Sequence, residues 1–99
     1  MKYKSMIKER ETIIRLLDAL YPGIKVYLFG SRARGTAKPF SDIDLAIDTG
    51  KKLNFVEIAI AKNVIEALNM PITVDVVDMR SIPETLKATI LKEGIVWKQ

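Results

Sequence analysis

The chain has 99 residues, room for one domain and no second. It contains no cysteine and no histidine, which excludes disulfides, thiolate nucleophiles, iron–sulfur clusters, serine–histidine triads and most transition-metal sites. Its net charge of +4 is scattered from Lys2 to Lys98 without a long run of like charges, so most of it reads as surface solvation.

The opening residues Met1–Ser5 lack the apolar core of a signal peptide. No apolar run reaches the length of a membrane span. Both point to the cytoplasm and away from a membrane. Residues 5–20 read as an amphipathic helix, with Met6, Ile7, Ile13, Ile14, Leu17 and Leu20 at helical spacing and the Arg10 stem bordering the stripe. Tyr21-Pro22-Gly23 stops it. Ile24–Phe29 is a short β-rich run ending at Gly30. Ser31–Arg34 suits a helical turn, Gly35–Ser41 a loop broken by Pro39, and Asp42–Asp48 a second strand.

After the polar link Thr49–Lys52, Asn54 and Glu57 resemble a capping box and open a helix to about residue 68. This helix is unusually apolar, which suits wedging against a sheet and also contact with a second protein. Met70-Pro71 ends it, and Ile72–Val77 gives a third strand. Ser81-Ile82-Pro83-Glu84 fits a further capping box with proline in the first turn. The helix that follows runs to Glu93, with Leu86, Ile90 and Leu91 on its buried side and Gly94 as its C-terminal cap. Ile95-Val96-Trp97 adds a last strand. The order α-β-β-α-β-α-β is that of an α/β or α+β sandwich, with helices covering a small sheet.

The chemistry concentrates between Gly30 and Leu45. A strand points residues i and i+2 to one side, so Asp42 and Asp44 project together, opposite Ile43, Leu45 and Ile47. Adjacent carboxylates repel and need a cation or a shared proton. Without histidine or cysteine, oxygen must hold any metal, and that favours Mg²⁺ or Mn²⁺ with substrate phosphates. The third strand puts Asp75 among apolar neighbours, where an unpartnered charge is costly. The economical expectation is that Asp75 meets Asp42 and Asp44, and three carboxylates can hold two Mg²⁺ ions for in-line phosphoryl transfer. With no histidine to serve as general base, Asp75 is the candidate for that role. Gly30 permits close approach of backbone to phosphate, and the Ser31 hydroxyl could bind it. Arg32, Arg34 and Lys38 are the cations at hand for the remaining phosphate charge. Gly30 to Gly35 has half the spacing of a P-loop, but Thr36-Ala37 stands where Lys-Ser/Thr is needed, so that reading fails.

The string Leu28-Phe29-Gly30-Ser31-Arg32-Ala33-Arg34-Gly35-Thr36-Ala37 with Ser41-Asp42-Ile43-Asp44-Leu45-Ala46-Ile47 resembles the minimal nucleotidyltransferase (MNT) branch of the DNA-polymerase-β-type superfamily. Val74-Asp75-Val76-Val77-Asp78 is similar to its third-carboxylate strand, and Glu93-Gly94-Ile95-Val96 to its usual end. The resemblance covers nearly the whole chain. It implies a small mixed sheet covered by helices and Mg²⁺-dependent transfer of a nucleoside monophosphate, by default AMP from ATP, to a hydroxyl. It also implies Gly30 and Ser31 as the nucleotide-binding pair, with Arg32 and Arg34 beside them. Asp42 and Asp44 become metal ligands and Asp75 the third carboxylate. Minimal members commonly pair with a small helical HEPN protein, and in some pairs they adenylylate a tyrosine of that toxin and silence it.

Two further readings stand beside this one. The chain could act as a non-catalytic antitoxin that works by occlusion, or as a transferase whose small-molecule acceptor is bound by a helical partner. RNA extension fits poorly, because positive charge is scattered and no aromatic stacking surface is evident, so nucleic acid is not an expected ligand. Association, with a helical partner or with a second copy, is expected because the chain is small and carries an apolar helix at 54–68. Asp48 and Asp78 fit turn or capping roles, and Tyr3, Tyr21 and Tyr27 fit packing.

Overall fold

The computed structural model describes residues 9–99. Its elements are α1 (Arg10–Leu20), β1 (Lys25–Phe29), α2 (Ser31–Arg34), β2 (Ile43–Asp48), α3 (Phe55–Glu66), β3 (Val74–Asp78), α4 (Glu84–Glu93) and β4 (Ile95–Lys98). The expected element order holds. Ser5–Lys8, with Met6 and Ile7, and also Tyr3, lie outside the described residues.

The four strands form one mixed sheet in the order β3-β2-β1-β4. β1 is antiparallel to β2 and to β4, while β2 and β3 are parallel. A parallel pair needs a crossover, and α3 supplies it. Period-two alternation divides the side chains between the two faces. Val26, Leu28, Ile43, Leu45, Ile47, Val76 and Trp97 bury against Ile13 and Leu17 of α1 and Ala61 and Ile65 of α3. On the opposite face Ala46, Met79 and Ile90 form a smaller cluster with Tyr27, Phe29, Val77, Ile82 and Leu86. That cluster fits α4 to the middle of the sheet and leaves the starts of β2 and β3 to their acidic residues. Among the described residues no helix is long and apolar enough to cross a membrane.

Local signals held to different degrees. The Asn54–Glu57 capping box forms in both directions: Glu57 N–H donates to Asn54 Oδ1 at 2.8 Å and Asn54 N–H to Glu57 Oε1 at 2.9 Å. The box expected at Ser81–Glu84 does not form. Pro83 takes the N-cap position without a side-chain bond. Ser81 Oγ instead donates to Asp78 Oδ2 at 3.0 Å, because a buried carboxylate competes for the hydroxyl. Leu91 is exposed rather than buried; one residue beyond Ile90, it is turned 100° away from the sheet. Gly94 caps α4 as expected, its N–H donating to Ile90 O at 2.8 Å from extended backbone (φ −70°, ψ 159°). Glycine is needed there for space, since a Cβ would strike the Ile90 and Leu28 carbonyl oxygens. α3 wedges against the sheet through Ala61 and Ile65, yet leaves Phe55, Val56 and Ile60 exposed.

Candidate active site

β1 ends at Phe29, which pairs with Asp44 of β2. The next residue, Gly30, has φ 76° and ψ −156°, a region closed to residues with a Cβ. A Cβ there would also collide with the Asp44 carboxylate. The chain then turns through α2, where the amides of Ala33 and Arg34 both donate to Gly30 O at 3.1 Å. The glycine turn therefore touches the acidic strand directly. It leaves Ser31 half-buried beside it.

Asp42 stands exposed immediately before β2, and Asp44 is half-buried within it. Asp75 on β3 sits in register with Asp44. In a parallel pair, residues in register project to the same face, so the sheet brings Asp44 and Asp75 together, and Asp42, just before β2, is near enough for its charge to act on Asp44. The Asp44 carboxyl is pushed above the ordinary Asp value, first by burial, then by the negative charges of Asp75 and Asp42. The Arg34 guanidinium acts against this. Asp75 also meets Lys62 of α3, with Nζ 3.8 Å from Oδ1, an ion pair about half exposed. Among the described residues no three His, Cys, Asp or Glu side chains are set together as a finished metal site. The acids gather at one end of β2 and β3 without closing into a cage. Their chemistry still fits a hard divalent cation: the donors are all oxygen, and a partly desolvated carboxylate is flanked by two of like charge.

The arginines of the turn separate. Arg32 is 5% exposed. Its Nε and Nη2 donate to Ser41 O at 3.1 and 2.7 Å, and Nη2 also donates to Pro39 O at 3.2 Å. Arg34 is exposed and is the cation that acts on Asp44. Lys38 is exposed, and its amide donates to Ser41 Oγ at 2.8 Å.

Two residues near the site carried no sequence signal. Lys62 reaches Asp75 only because the crossover helix packs beside β3. Phe40, 83% exposed, is presented two residues before Asp42 by the turn that Arg32 holds. Other acids and tyrosines serve the fold. Asp78 accepts from the amides of Leu53 and Arg80 at 2.8 and 3.0 Å. Asp48 accepts from Gly50 N–H at 2.9 Å and Arg80 Nε at 2.8 Å. Burial alone would raise the Asp48 carboxyl, but the Arg80 and Gly50 hydrogen bonds, with the charges of Arg80 and Lys25, bring it below its usual value. Tyr21 donates its hydroxyl to Glu57 O at 2.8 Å, and Tyr27 packs in the smaller cluster.

Residues 11–98 match the family described as polymerase beta, nucleotidyltransferase. The chain is 35% identical over 92 residues to a Haemophilus influenzae protein named "Probable protein adenylyltransferase MntA", covering 91% of this chain and 81% of that protein. The solved structure of a toxin–antitoxin with AMP-PNP is similar at TM-score 0.76 and 31% identity, over 89% of this chain and 71% of that one. That of a tri-AMPylated Shewanella oneidensis HEPN toxin in complex with MNT antitoxin is similar at TM-score 0.72 and 26% identity, over 93% of this chain and 71% of that one.

Proposed function

The chain belongs to the polymerase beta nucleotidyltransferase family, and on that premise we propose that it acts as a single-domain, cytoplasmic adenylyltransferase. It moves AMP from ATP to a hydroxyl of a partner protein, a tyrosine of a HEPN-type toxin, and thereby serves as the antitoxin. The observation that carries this reading is the contact of the Gly30 turn with Asp44, in register with Asp75. The similarity to an AMP-PNP complex and to an AMPylated HEPN toxin complex supports the nucleotide and the partner.

Members of the family generally use divalent metal ions. In this reading Asp42 and Asp44 hold Mg²⁺, Asp75 joins them for a second ion, and Mn²⁺ can substitute. When bound, the cations neutralise carboxylate and phosphate charge and lower the pKa of the acceptor hydroxyl. Gly30 and Ser31 receive the terminal phosphates, since at Gly30 the backbone lies close against the Asp44 carboxylate. Arg34, exposed beside Asp44, adds positive charge. The acceptor oxygen forms a bond to the α-phosphorus, and the bond from that phosphorus to the β-bridging oxygen breaks. Pyrophosphate leaves with the electron pair, and Asp75 takes the hydroxyl proton. Exposed Phe55, Val56 and Ile60 support association with a partner.

Intact mass spectrometry of the chain and its co-encoded neighbour after incubation with ATP and Mg²⁺ tests the proposal. One or more AMP units on the neighbour, absent with Asp42→Asn, is the expected result. A stable complex without a mass change, equally silenced by Asp42→Asn, would replace catalysis with occlusion. Transfer only to an added small molecule would move the acceptor away from the protein.

A further inference from the structure

Arg32 lies in the glycine turn among groups suited to phosphate, yet its fork points elsewhere. Only 5% of the residue is exposed, and Nε and Nη2 converge on Ser41 O while Nη2 also holds Pro39 O. The same turn is closed by Ser41 N–H to Lys38 O at 3.0 Å and by Lys38 N–H to Ser41 Oγ at 2.8 Å. Asp42 follows at once. Ile43 N–H then bonds to Thr73 O at 2.9 Å, which ties the start of β2 to the segment leading into β3 and Asp75. The brace thus ends where the carboxylates begin.

We propose that Arg32 is a positioning residue, not a phosphate ligand. It sets where Asp42 enters β2, and hence how Asp42, Asp44 and Asp75 approach one another round a divalent cation. The exposed Arg34 is left to meet the nucleotide. This rests on the functional reading above. The segment from Gly35 to Asp42 has no helix or strand of its own to hold it, and a cation site tolerates only about 0.5 Å of looseness in its ligands. Lysine keeps the charge but cannot bridge two carbonyls as a planar fork does.

The test measures two affinities on the full chain: Mn²⁺ in the absence of nucleotide, and AMP-PNP in EDTA. Arg32→Lys keeps the charge and Arg32→Gln removes it. Both variants are expected to weaken Mn²⁺ binding about tenfold and to leave metal-free AMP-PNP binding within about twofold, since the phosphate groups lie elsewhere. Arg32→Gln losing AMP-PNP while Arg32→Lys retains it would make Arg32 a phosphate ligand and overturn the proposal. Unchanged Mn²⁺ affinity in both variants would overturn it too. Should either variant fail to fold, Ser41→Ala opens the same turn more gently. It is expected to weaken Mn²⁺ binding by a smaller factor with AMP-PNP unchanged, and wild-type Mn²⁺ affinity in that variant counts against the brace. A wild-type chain that binds neither probe overturns the functional reading itself, and this inference with it.

Discussion

Gly30 and Asp44 meet across the end of the β1–β2 ladder with no room for a methyl group between them. Gly30→Ala adds that methyl at φ 76° and ψ −156°. The backbone strain alone costs about 1–3 kcal/mol, and relief requires the turn or the carboxylate to move. The expected result is a lower melting temperature, by roughly 10 °C for a chain of this size, together with about a hundredfold loss of AMP transfer. A thermal melt and the mass-shift assay read the two effects. Wild-type values for both would mean that the turn relaxes freely.

Asp44→Asn is expected to separate stability from activity. Burial and the charges of Asp75 and Asp42 raise the Asp44 carboxyl above its unfolded value. Folding therefore takes up protons between the ordinary and the raised pKa, and stability falls as pH climbs through that window. Removing the charge should raise the melting temperature in EDTA at neutral pH by a few degrees at most, because Asp44 is only half-buried and solvent screens the repulsion. The gain should vanish in acid, below the ordinary carboxylate range. Transfer should be lost, and with it the stabilisation by added Mg²⁺. Paired melts across pH, with EDTA and with Mg²⁺, check the sign; destabilisation at neutral pH would show that Asp44 is held by favourable partners.

Asp78 holds the fold together at the far end of β3. It is 3% exposed and accepts from Leu53 N–H, Arg80 N–H and Ser81 Oγ. Asp78→Ala strips the acceptor from a buried amide and should cost about 2–4 kcal/mol. Asp78→Asn keeps one acceptor oxygen and should cost less. Urea denaturation gives both values, and equal losses would mean that charge, not hydrogen bonding, is what Asp78 contributes.

Gly94→Ala isolates a purely steric requirement. At φ −70° any residue is allowed, but the new Cβ would press on the Ile90 and Leu28 carbonyl oxygens, and these are backbone atoms that yield little. A loss of about 1–3 kcal/mol is expected, with no change in nucleotide affinity because the glycine sits at the β1–β4 side of the sheet. Denaturation beside an AMP-PNP titration measures the pair; loss of nucleotide binding would mean that β1 carries the disturbance into the Gly30 turn.

The sequence by itself determined the elements and their faces. Alternation in Val26, Leu28, Ile43, Leu45 and Ile47 is a property of the covalent chain, and so is the reciprocal reach of Asn54 and Glu57 across one helical turn. The two-residue spacing of Asp42 and Asp44 was legible for the same reason, whereas the clash that bars a Cβ at residue 30 comes from the Asp44 carboxylate on the next strand. Tertiary structure alone decided everything that spans elements. The parallel register that sets Asp75 beside Asp44, Lys62 beside Asp75 and Arg32 beneath the Pro39–Ser41 carbonyls depends on how strands and helices dock. Ser81 offered a capping box, but the buried carboxylate of Asp78 took its hydroxyl. Gly94 was legible as the cap of α4, but only the packing of α4 on β1 shows that its missing side chain is what the position requires. Local propensity states what a residue is able to do; the competition among distant groups for burial and hydrogen bonds selects what it does.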